Sequence, residues 1–504
     1  MQTAKASSPV DWVARAGALR IQIRNFVGGE SLAGDGAGEL HKSSPRDGQG
    51  LYTFAAGSPR DVESAVAAAR RAFVDGRWSR LPAHRRSDAL YRLAALLAEH
   101  TEEFALLESL DTGKPIKDAL AFDVPRAAAT FRFSAAAGDK LAGQVYGVDA
   151  RSLSYQSRRP LGVVGGIIGW NFPLVLAAEK IAPALAMGNS LVLKPSELTS
   201  LSAARLAQLA LEAGVPEGVL NVIHGSAEVG EALARHQDVD MITFTGSSRT
   251  GKLLLVAAGE SNMKRLLLEC GGKAPNIVFA DAPDLAAVAD GIIARAFWNQ
   301  GQVCTASSRL LVHEDIKDEL LGLVIERASV LHPGDPLKEQ TTFGALVSNG
   351  HREKVLGYIA SGEREGARAI YQASTLAPIP GGFYAAPVIF DKVSPVHRIA
   401  QEEIFGPVLS VLAFRDDEEA VRIANSTIYG LSAILWTRDL GRAHRVSQSI
   451  DAGWIVVNAT ASPTGGPGPG IVSIGGHKQS GIGVEGGVEG LKAYTRESAI
   501  QIFV

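Results

Sequence analysis

Apolar residues recur along this chain with the spacing of α-helices and, between the helices, in short runs typical of buried strands. The segments "SPRDVESAVAAARRAF" (58–73) and "HRRSDALYRLAALLAEH" (84–100) carry apolar residues every three or four positions, which predicts helices. Ser58, Pro59 and Asp61 supply a capping residue, a proline in the first turn and an acid three positions after the cap. The same spacing predicts helices at 202–214, 283–298, 314–332 and 417–427.

The short apolar runs predict strands of parallel sheets. They occupy 162–168, 218–225, 240–246, 274–280, 309–314, 407–414 and 453–458. Strands that alternate with helices predict an α/β fold, in which helices cover parallel sheets. The proline- and glycine-rich segment "ASPTGGPGPG" (461–470) predicts a loop.

Composition limits the class of protein. The chain has 504 residues, 46% of them hydrophobic, and a net charge of -3, so large cores are expected and a nucleic-acid partner is not. Two cysteines do not make a disulfide framework, and no CxxC or HExxH occurs, so no metal is expected. The uncharged stretch 161–178 contains four glycines, Asn171 and Pro173, which favours a buried strand and loop over a membrane helix. No signal peptide is recognised, and a cytoplasmic location is expected.

Two turns are candidates for ligand binding. In "TFTGSSRTGKLL" (243–254) an apolar strand leads into Gly246 and Ser247, and a helix is predicted to begin near Thr250. A helix N-terminus after a tight turn attracts phosphate, although an ordinary strand-to-helix turn has the same pattern. In "LVLKPSELTS" (191–200), Lys194 and Glu197 follow a strand, where α/β sheets bind ligands or form solvated turns.

The glycine pattern "GIGVEG" (481–486) matches G-x-G-x-x-G, but no predicted strand precedes it. A dinucleotide fingerprint needs that strand, so the match carries little weight.

Cys304 in "NQGQVCTASSR" (299–309) has two interpretations. Free cysteine is one of the most buried residue types, which favours a packing role. A reactive thiolate, in contrast, needs exposure, a general base and donors for an oxyanion. Glu269 lies between an apolar run and two glycines, where desolvation can raise its pKa into the range of a base. Asn171 offers a side-chain N–H for an oxyanion.

The motifs together resemble a known family. "GWNFPL", "LKPSE", "FTGS", "LECGGKAPN", "NQGQVC" and "EEIFGPV" occur in the order and approximate spacing of the NAD(P)-dependent aldehyde dehydrogenase superfamily. The resemblance extends from about residue 25 to the C-terminus. "FTGSSRTGK", "GESNMKR" and "WTRDLGRAHR" resemble the gamma-glutamyl-gamma-aminobutyraldehyde dehydrogenase branch most.

The resemblance implies a mechanism. Cys304 would attack an aldehyde to give a thiohemiacetal and then, after hydride transfer, a thioester. Asn171 and the Cys304 backbone N–H would hold the oxyanion, and Glu269 would activate the water that releases the acid. Lys180 and Glu485 would relay protons from Glu269.

The resemblance also implies a cofactor. NAD is expected in preference to NADP, because the Glu197 carboxylate would chelate ribose hydroxyls and repel a 2′-phosphate. The implied cofactor-binding residues are Ile167, Trp170, Lys194, Glu197, Gly230, Gly246, Ser247, Gly251, Glu403 and Phe405.

The implied architecture has three parts. A Rossmann-like NAD-binding domain would span 20–140 and 160–270, and an α/β catalytic domain would span 271–470. A small β segment at 141–159 and 487–504 would join subunits into a homodimer or a dimer of dimers.

The chain departs from the family pattern near its C-terminus. Ser473, Ile474 and Val484 replace the usual Pro, Phe and Arg, and the loop 459–472 is longer than usual and has lost its aromatic residues. The expected substrate-tunnel residues are Phe172, Val175, Leu176, Glu179, Trp298, Val303, Thr305 and Ile474. Most are apolar, which indicates a medium-sized apolar aldehyde, while Glu179 leaves an amino-aldehyde open.

Three other functions stay open from sequence. A CoA-acylating or phosphorylating relative would have no use for Glu269 as a hydrolytic base, because CoA or phosphate would take the acyl group. A non-catalytic protein with the same fold would not need Cys304, Glu269, Asn171 and Lys194 together. A cysteine hydrolase would need a histidine beside Cys304, and no motif supplies one.

Overall fold

A computed structural model describes residues 10–20, 22–36, 38–149, 151–374, 377–458 and 472–503. The predicted loop 461–470 and most of 459–472 lie outside these residues. The predicted α/β alternation is confirmed: two large, mostly parallel sheets each lie between layers of helices. None of the helices in the described part of the chain is long and apolar enough to cross a membrane.

The first large sheet has eight strands. In spatial order they are Glu30–Leu32, Asn25–Val27, Leu220–Val222, Ser190–Lys194, Val163–Ile167, Met241–Thr245, Arg265–Glu269 and Gly481–Ile482. The middle five are parallel, and the hairpin at one edge and Gly481–Ile482 at the other are antiparallel. "GIGVEG" therefore begins as an edge strand paired with Leu268 and Glu269.

Side chains alternate between the two faces along each strand of this sheet, and helices bury both faces. Leu191 and Leu193 join the core that includes the helices Pro173–Ala186 and Leu201–Glu212. Val192, between them, joins a second core on the other face. That face is covered by the helices Pro59–Val74, Ala227–Arg235 and Ser248–Gly259.

The second large sheet has seven strands. Their spatial order is Arg368–Gln372, Val388–Asp391, Val408–Phe414, Arg309–His313, Pro275–Val278, Ser432–Trp436 and Trp454–Val457. All pairs are parallel except the one made by Arg368–Gln372. One face packs against Leu285–Phe297 and Lys317–Ala328. The other packs against Asn349–Arg364, Arg398–Gln401, Asp417–Ala424 and Leu440–Ser449.

A layer of helices from the N-terminal part packs on helix Pro173–Ala186. It consists of Trp12–Ala18, Ala83–Glu99, Thr101–Thr112, Ile116–Asp118, a π-helical turn Ala119–Asp123 and Val124–Ala137. The remaining helices are Gly487–Ala493 and the 3₁₀ turns Trp298–Gly301 and Glu314–Ile316. Two small hairpin-like pairs join Glu39–Ser43 to Gly50–Ala55 and Tyr429–Gly430 to His477–Lys478.

A third sheet, of three antiparallel strands, lies in the segments expected to join subunits. It contains Val145–Asp149, Ser152–Pro160 and Thr495–Phe503, with Ser152–Pro160 in the middle. The domain boundaries drawn from the sequence remain predictions.

The predicted helix starts agree with the observed caps. Ser58 caps helix Pro59–Val74, and Asp61 returns the bond to the Ser58 backbone, as the capping box requires. The helix after Gly246 begins at Ser248, two residues before the predicted position, because the Ser247 hydroxyl accepts from the Thr250 N–H at 3.2 Å.

Candidate active site

A cavity of about 460 Å³ is lined by residues from segments next to strands of both large sheets. Gly169, Trp170 and Gly246 follow strands of the first sheet. Cys304 precedes strand Arg309–His313 of the second sheet, and Trp454 begins its last strand. A second cavity of about 180 Å³ shares Cys304 and Thr305 with the first. Cys304 therefore stands where the two cavities meet, and its interpretation as a packing residue does not describe its surroundings.

The backbone before Cys304 is held in an unusual conformation. Asn299, Gln300 and Gly301 have φ angles of 48°, 58° and 72°, and the first two are not glycine. Non-glycine residues with positive φ are uncommon and are found most often where function requires them. This left-handed turn ends helix Leu285–Phe297 and returns the chain toward Asn171, which brings Cys304 to the cavity.

Hydrogen bonds fix this turn against Asn171. The Asn299 side chain donates to the backbone carbonyls of Asn171 at 3.2 Å and of Gln302 at 3.3 Å. The Asn171 side-chain amide donates to the Gln302 carbonyl at 3.0 Å, and Gln302 Oε1 accepts from the Val347 N–H at 3.1 Å. Asn171 and the Cys304 loop are thus tied to each other directly.

Close approach of a glycine to Cys304 completes its cradle. A Cβ atom on Gly272 would lie 2.2 Å from the Cys304 carbonyl oxygen, so only glycine fits there. Burial raises the pKa of the Cys304 thiol to about 12, and the charges of Glu403, Glu269 and Glu179 act in the same direction. With a pKa this high, the Cys304 thiol is protonated at neutral pH unless a positive charge is bound nearby.

Glu269 ends strand Arg265–Glu269 and lines the smaller cavity. Its Oε1 is buried and has no hydrogen-bond partner. Burial raises the pKa of Glu269 well above its usual value, and the Glu485 charge raises it further, while Lys180 opposes both. A carboxylate without a partner, beside a cysteine and with a raised pKa, has the properties of a general base.

Lys180 and Glu485 form a buried ion pair near Glu269. Thr243 donates to Glu485 Oε1 at 3.4 Å, and Tyr494 donates to Thr243 at 3.1 Å. Glu485 also lines the smaller cavity together with Glu269 and Tyr494. The structure therefore brings Glu269, Lys180 and Glu485 together, as the motifs indicated.

All of the expected substrate residues line the larger cavity. They are Phe172, Val175, Leu176, Glu179, Trp298, Val303, Thr305 and Ile474. Phe172 and Trp298 lie with ring centroids 5.2 Å apart and form an aromatic wall. Glu179 is paired: Arg126 donates to its Oε1 at 3.2 Å, and both side chains line both cavities.

Five of the expected cofactor residues line the same cavity. They are Trp170, Gly246, Ser247, Glu403 and Phe405. The rings of Trp170 and Phe405 are 5.1 Å apart and nearly perpendicular. Glu403 Oε1 accepts from the Gly272 N–H at 2.8 Å, and burial raises the pKa of Glu403 to about 7.

The other expected cofactor residues are not among the lining residues of the cavity: Ile167, Lys194 and Glu197 lie at or just after the carboxyl ends of neighbouring strands, and Gly230 and Gly251 lie in helices. Ile167 is in register with Lys194, whose Nζ donates to Glu197 Oε2 at 3.2 Å. Gly230 faces Ile167, and a Cβ on it would lie 3.9 Å from Ile167 Cδ1. Gly251 packs on Cys270, where a Cβ would lie 2.8 Å from the sulfur.

This arrangement fits a bound dinucleotide. The N-terminus of helix Ser248–Gly259 follows Gly246 and Ser247, which line the cavity, so its first N–H groups are near a site for phosphate. Gly271 lies against the Glu403 carboxylate, where a Cβ would come within 2.4 Å of Oε2.

The sequence motifs missed several lining residues: Phe122, Arg126, Cys270, Gly271, His351, Lys354, Trp454 and Val472. His351 and Lys354 lie three residues apart on one helix, a spacing that could have flagged them.

A doubly wound sheet, a glycine turn that leads into a helix N-terminus and a cysteine beside an unpartnered carboxylate are typical of enzymes that use a thiol and a dinucleotide. Residues 33–500 match the model of the aldehyde dehydrogenase family, and the chain belongs to that family. It is an NAD(P)-dependent oxidoreductase that oxidises an aldehyde.

Known relatives match nearly the whole chain. The NADP/NAD-dependent aldehyde dehydrogenase PuuC of Escherichia coli (strain K12) is 45% identical over 494 residues, which are 97% of this chain and 98% of PuuC. The structure of P. syringae AldA indole-3-acetaldehyde dehydrogenase, in complex with NAD+ and IAA, has a TM-score of 0.94 and 47% identity, covering 98% and 99% of the two chains.

The expected similarity to gamma-glutamyl-gamma-aminobutyraldehyde dehydrogenases is also confirmed. The gamma-glutamyl-gamma-aminobutyraldehyde dehydrogenase of Burkholderia cenocepacia is 46% identical with a TM-score of 0.94, and the match covers 98% of this chain and 99% of that one.

Proposed function

We propose that this protein oxidises a medium-sized aldehyde to the carboxylic acid with NAD+, through a thioester on Cys304 that water hydrolyses. The observation that carries this proposal is Cys304 at the junction of two cavities, one lined by Asn171 and the other by Glu269. A dehydrogenase of this kind needs an electrophile site on one side of the sulfur and a water site on the other.

The residues divide the chemistry among them. Cys304 attacks the aldehyde carbon to form a thiohemiacetal, and the Asn171 amide and the Cys304 N–H hold the oxyanion. NAD+, when bound, supplies the hydride acceptor and a positive ring charge that favours the Cys304 thiolate. The hydrogen bonds that Asn299 and Gln302 make with Asn171 hold the Asn171 amide in position relative to the Cys304 N–H.

Glu269 releases the product. Its buried Oε1 has no competing partner, so the carboxylate can take a proton from water that attacks the thioester. Lys180 and Glu485 then pass the proton on, with Thr243 and Tyr494 orienting Glu485. A base that activates water would have no role if CoA received the acyl group, because no hydrolysis would then occur.

The preference for NAD+ rests on Glu197. Its carboxylate is 44% exposed and pairs with Lys194, an arrangement that suits ribose hydroxyls and repels a 2′-phosphate. The Glu197→Gln variant removes the repulsion, and we expect the kcat/KM ratio of NADP+ to NAD+ to rise. An unchanged ratio, with both cofactors still bound, would contradict this assignment.

The substrate proposed is an aldehyde with an apolar body and a nitrogen-bearing far end. Phe172, Leu176 and Trp298 would contact the body, and Glu179 would accept a hydrogen bond from the nitrogen. A carboxylate accepts several hydrogen bonds, so its pairing with Arg126 leaves acceptor capacity. Relatives are named for indole-3-acetaldehyde and gamma-glutamyl-gamma-aminobutyraldehyde, two aldehydes that contain nitrogen.

Self-association is proposed from exposed apolar side chains. Val145 and Phe503 on the three-stranded sheet are 74% and 73% exposed, and Leu253 on helix Ser248–Gly259 is 63% exposed. Such a surface favours a homodimer or a dimer of dimers. Light scattering after size exclusion tests this, and Leu253→Asp should shift the mass toward the monomer.

The cytoplasm is the proposed compartment, since both cysteines are free thiols.

One experiment tests the reaction. An ω-aminoaldehyde, a straight-chain aldehyde and an aromatic aldehyde are each supplied with NAD+ in ¹⁸O-labelled water, with and without CoA, and reduced cofactor and product are measured. We expect labelled acid that does not depend on CoA. An acyl-CoA product, or no reduction with any aldehyde, would overturn the proposal, and equal rates with all three would overturn the substrate assignment.

A further inference from the structure

A buried ionic cluster lies behind the aromatic wall of the larger cavity. It consists of Glu108, Lys114 and Asp123, whose side chains are each at most 1% exposed. Lys114 Nζ forms an ion pair with Asp123 and lies 3.9 Å from Glu108 Oε2. Buried charges of this kind add little net stability, because desolvation offsets their attraction. None of the three lines either cavity, so their presence needs another explanation.

Lys114 contacts the wall directly. Its Nζ lies 4.2 Å from the centre of the Phe172 ring, the geometry of a cation–π interaction. Phe122 extends the wall: its ring centroid lies 5.7 Å from that of Phe172 and 4.7 Å from that of Trp298. Lys114 is aimed there by the left-handed Gly113, with φ 80°, which ends helix Thr101–Thr112.

Asp123 controls the position of Phe122. The two residues are adjacent in the π-helical turn Ala119–Asp123, so the ion pair to Lys114 fixes the turn from which Phe122 projects. A π-helical turn is rare and is found mostly at functional sites. One lysine thus restrains both Phe122 and Phe172.

Glu108 holds the third element of the cavity. Its Oε1 accepts from the Leu174 N–H at 3.1 Å and from the Ser202 hydroxyl at 2.5 Å. Leu174 is in the first turn of helix Pro173–Ala186. A carboxylate there accepts a hydrogen bond from an otherwise free N–H and interacts favourably with the positive end of the helix dipole. The same helix carries Val175, Leu176 and Glu179 into the cavity.

We propose that Lys114, held by Asp123 and Glu108, is a positioning residue that sets the aromatic wall for substrates with a ring or bulky apolar body. Through Phe172 and Phe122 it determines selectivity among aldehydes, and it does not touch the reacting carbon. The inference rests on the proposed binding of the aldehyde body in the larger cavity.

The test measures selectivity as the ratio of kcat/KM for phenylacetaldehyde to kcat/KM for acetaldehyde, with NAD+ and the full-length protein. Lys114→Met keeps the length of the side chain and removes its charge. Because acetaldehyde is too small to need the wall, we expect the ratio to fall about 2- to 30-fold, the range of one cation–π contact. The kcat for acetaldehyde should stay within about twofold of the parent value.

Two further variants separate this inference from the assignment of the cavity. Phe172→Leu should lower the ratio on its own, and Lys114→Met should add nothing in that background, because the two residues act together. An unchanged ratio in Phe172→Leu would overturn the placement of the aldehyde body, and the positioning role with it. A changed ratio there, combined with an unchanged ratio in folded Lys114→Met, would overturn the positioning role alone.

Lys264→Met is the matched control. Lys264 is also a buried lysine, but it donates to the Ala234 carbonyl at 2.6 Å and to Ser261 at 2.9 Å, and it is not among the lining residues of either cavity. Its loss should lower the melting temperature and leave the ratio unchanged, as expected of a purely structural role. Should Lys114→Met fail to fold, Asp123→Asn releases Lys114 with smaller disruption and must lower the ratio. An equal fall for both aldehydes in either variant would contradict the inference.

Discussion

Lys180 and Glu485 form an ion pair inside the protein although 305 positions separate them in the chain. The pair joins helix Pro173–Ala186 to the loop after the edge strand Gly481–Ile482, and it lies close enough to Glu269 for both charges to affect the pKa of that residue. Burial raises the pKa of Glu269 most, Glu485 raises it further and Lys180 lowers it, so residues from distant parts of the sequence influence the protonation of this carboxyl group.

The pH dependence of activity follows from this relationship. Glu269 acts as a base only when deprotonated, so activity rises with pH through its raised pKa. Glu485→Gln removes the negative charge that raises this pKa and leaves the positive charge of Lys180, and both effects move the rising limb of the kcat profile to lower pH. Glu489→Gln, an exposed neighbour that pairs with Lys492, is the control and should not move the limb. A shift to higher pH would refute the coupling.

Cys304→Ala should abolish aldehyde oxidation, with a loss of at least about 10³-fold in kcat/KM, because Cys304 supplies the only thiol among the described residues that line both cavities. Binding of NAD+, followed by protein fluorescence, should persist. Cys270→Ala is the control, since that side chain packs against Gly251, and its activity should stay within about threefold. Substantial turnover by Cys304→Ala would exclude the thioester mechanism.

Glu269→Gln should separate the two halves of the reaction. Formation of the thioester does not need the base, so the variant should release one burst of reduced cofactor per site. Steady-state turnover should then fall by about 10²- to 10⁴-fold, the usual contribution of a general base. Rapid-mixing absorbance measures the burst, and intact-protein mass spectrometry detects the acyl group on Cys304. A variant that turns over at the parent rate would assign the base elsewhere.

Asn171→Ala should lower kcat/KM by about 10²- to 10³-fold, since one oxyanion donor is removed. Asn171→Asp keeps the shape of the side chain but places a negative charge beside the oxyanion, and we expect it to be at least as damaging. Steady-state kinetics with both variants, checked for folding by circular dichroism, provides the measurement. Equal activity of the alanine variant and the parent would leave the oxyanion to backbone donors.

The left-handed turn before Cys304 can be tested by stability. Asn299→Ala loses the bonds to Asn171 and Gln302 and places a Cβ without a polar side chain at φ 48°, so we expect a loss of about 1–3 kcal/mol in the free energy of unfolding. Asn299→Gly loses the same bonds but tolerates the angle, so its loss should be smaller. Denaturant titration compares the two, and a reversed order would contradict the role of the backbone angle.

Local patterns predicted much of the fold. The strands Val163–Ile167 and Met241–Thr245 and the helices Pro59–Val74 and Ala83–Glu99 were all predicted from periodicity and capping residues. These signals succeed because burial of one face and satisfaction of a helix end depend on residues within a few positions of each other. Cys304, Glu269 and Asn171 were found by motif, since each lies in a short characteristic run.

Other features had no local signal. Arg126 is an ordinary basic residue of a helix until it meets Glu179 across 53 positions. Phe122 has the sequence context of a core residue, and only the π-helical turn directs it to the cavity. The positive φ of Gln300 also had no local signal, because residues other than glycine rarely adopt this conformation.

The sequence by itself determined the α/β class and the family, and it predicted a nucleophile, a base and an oxyanion donor. The tertiary structure alone decided which charges surround Glu269, that Glu179 is paired with Arg126, and that a buried lysine supports the aromatic wall. The physical reason is range: periodicity and capping act between near neighbours, whereas a pKa or the shape of a cavity depends on groups that only the folded chain brings within a few ångströms.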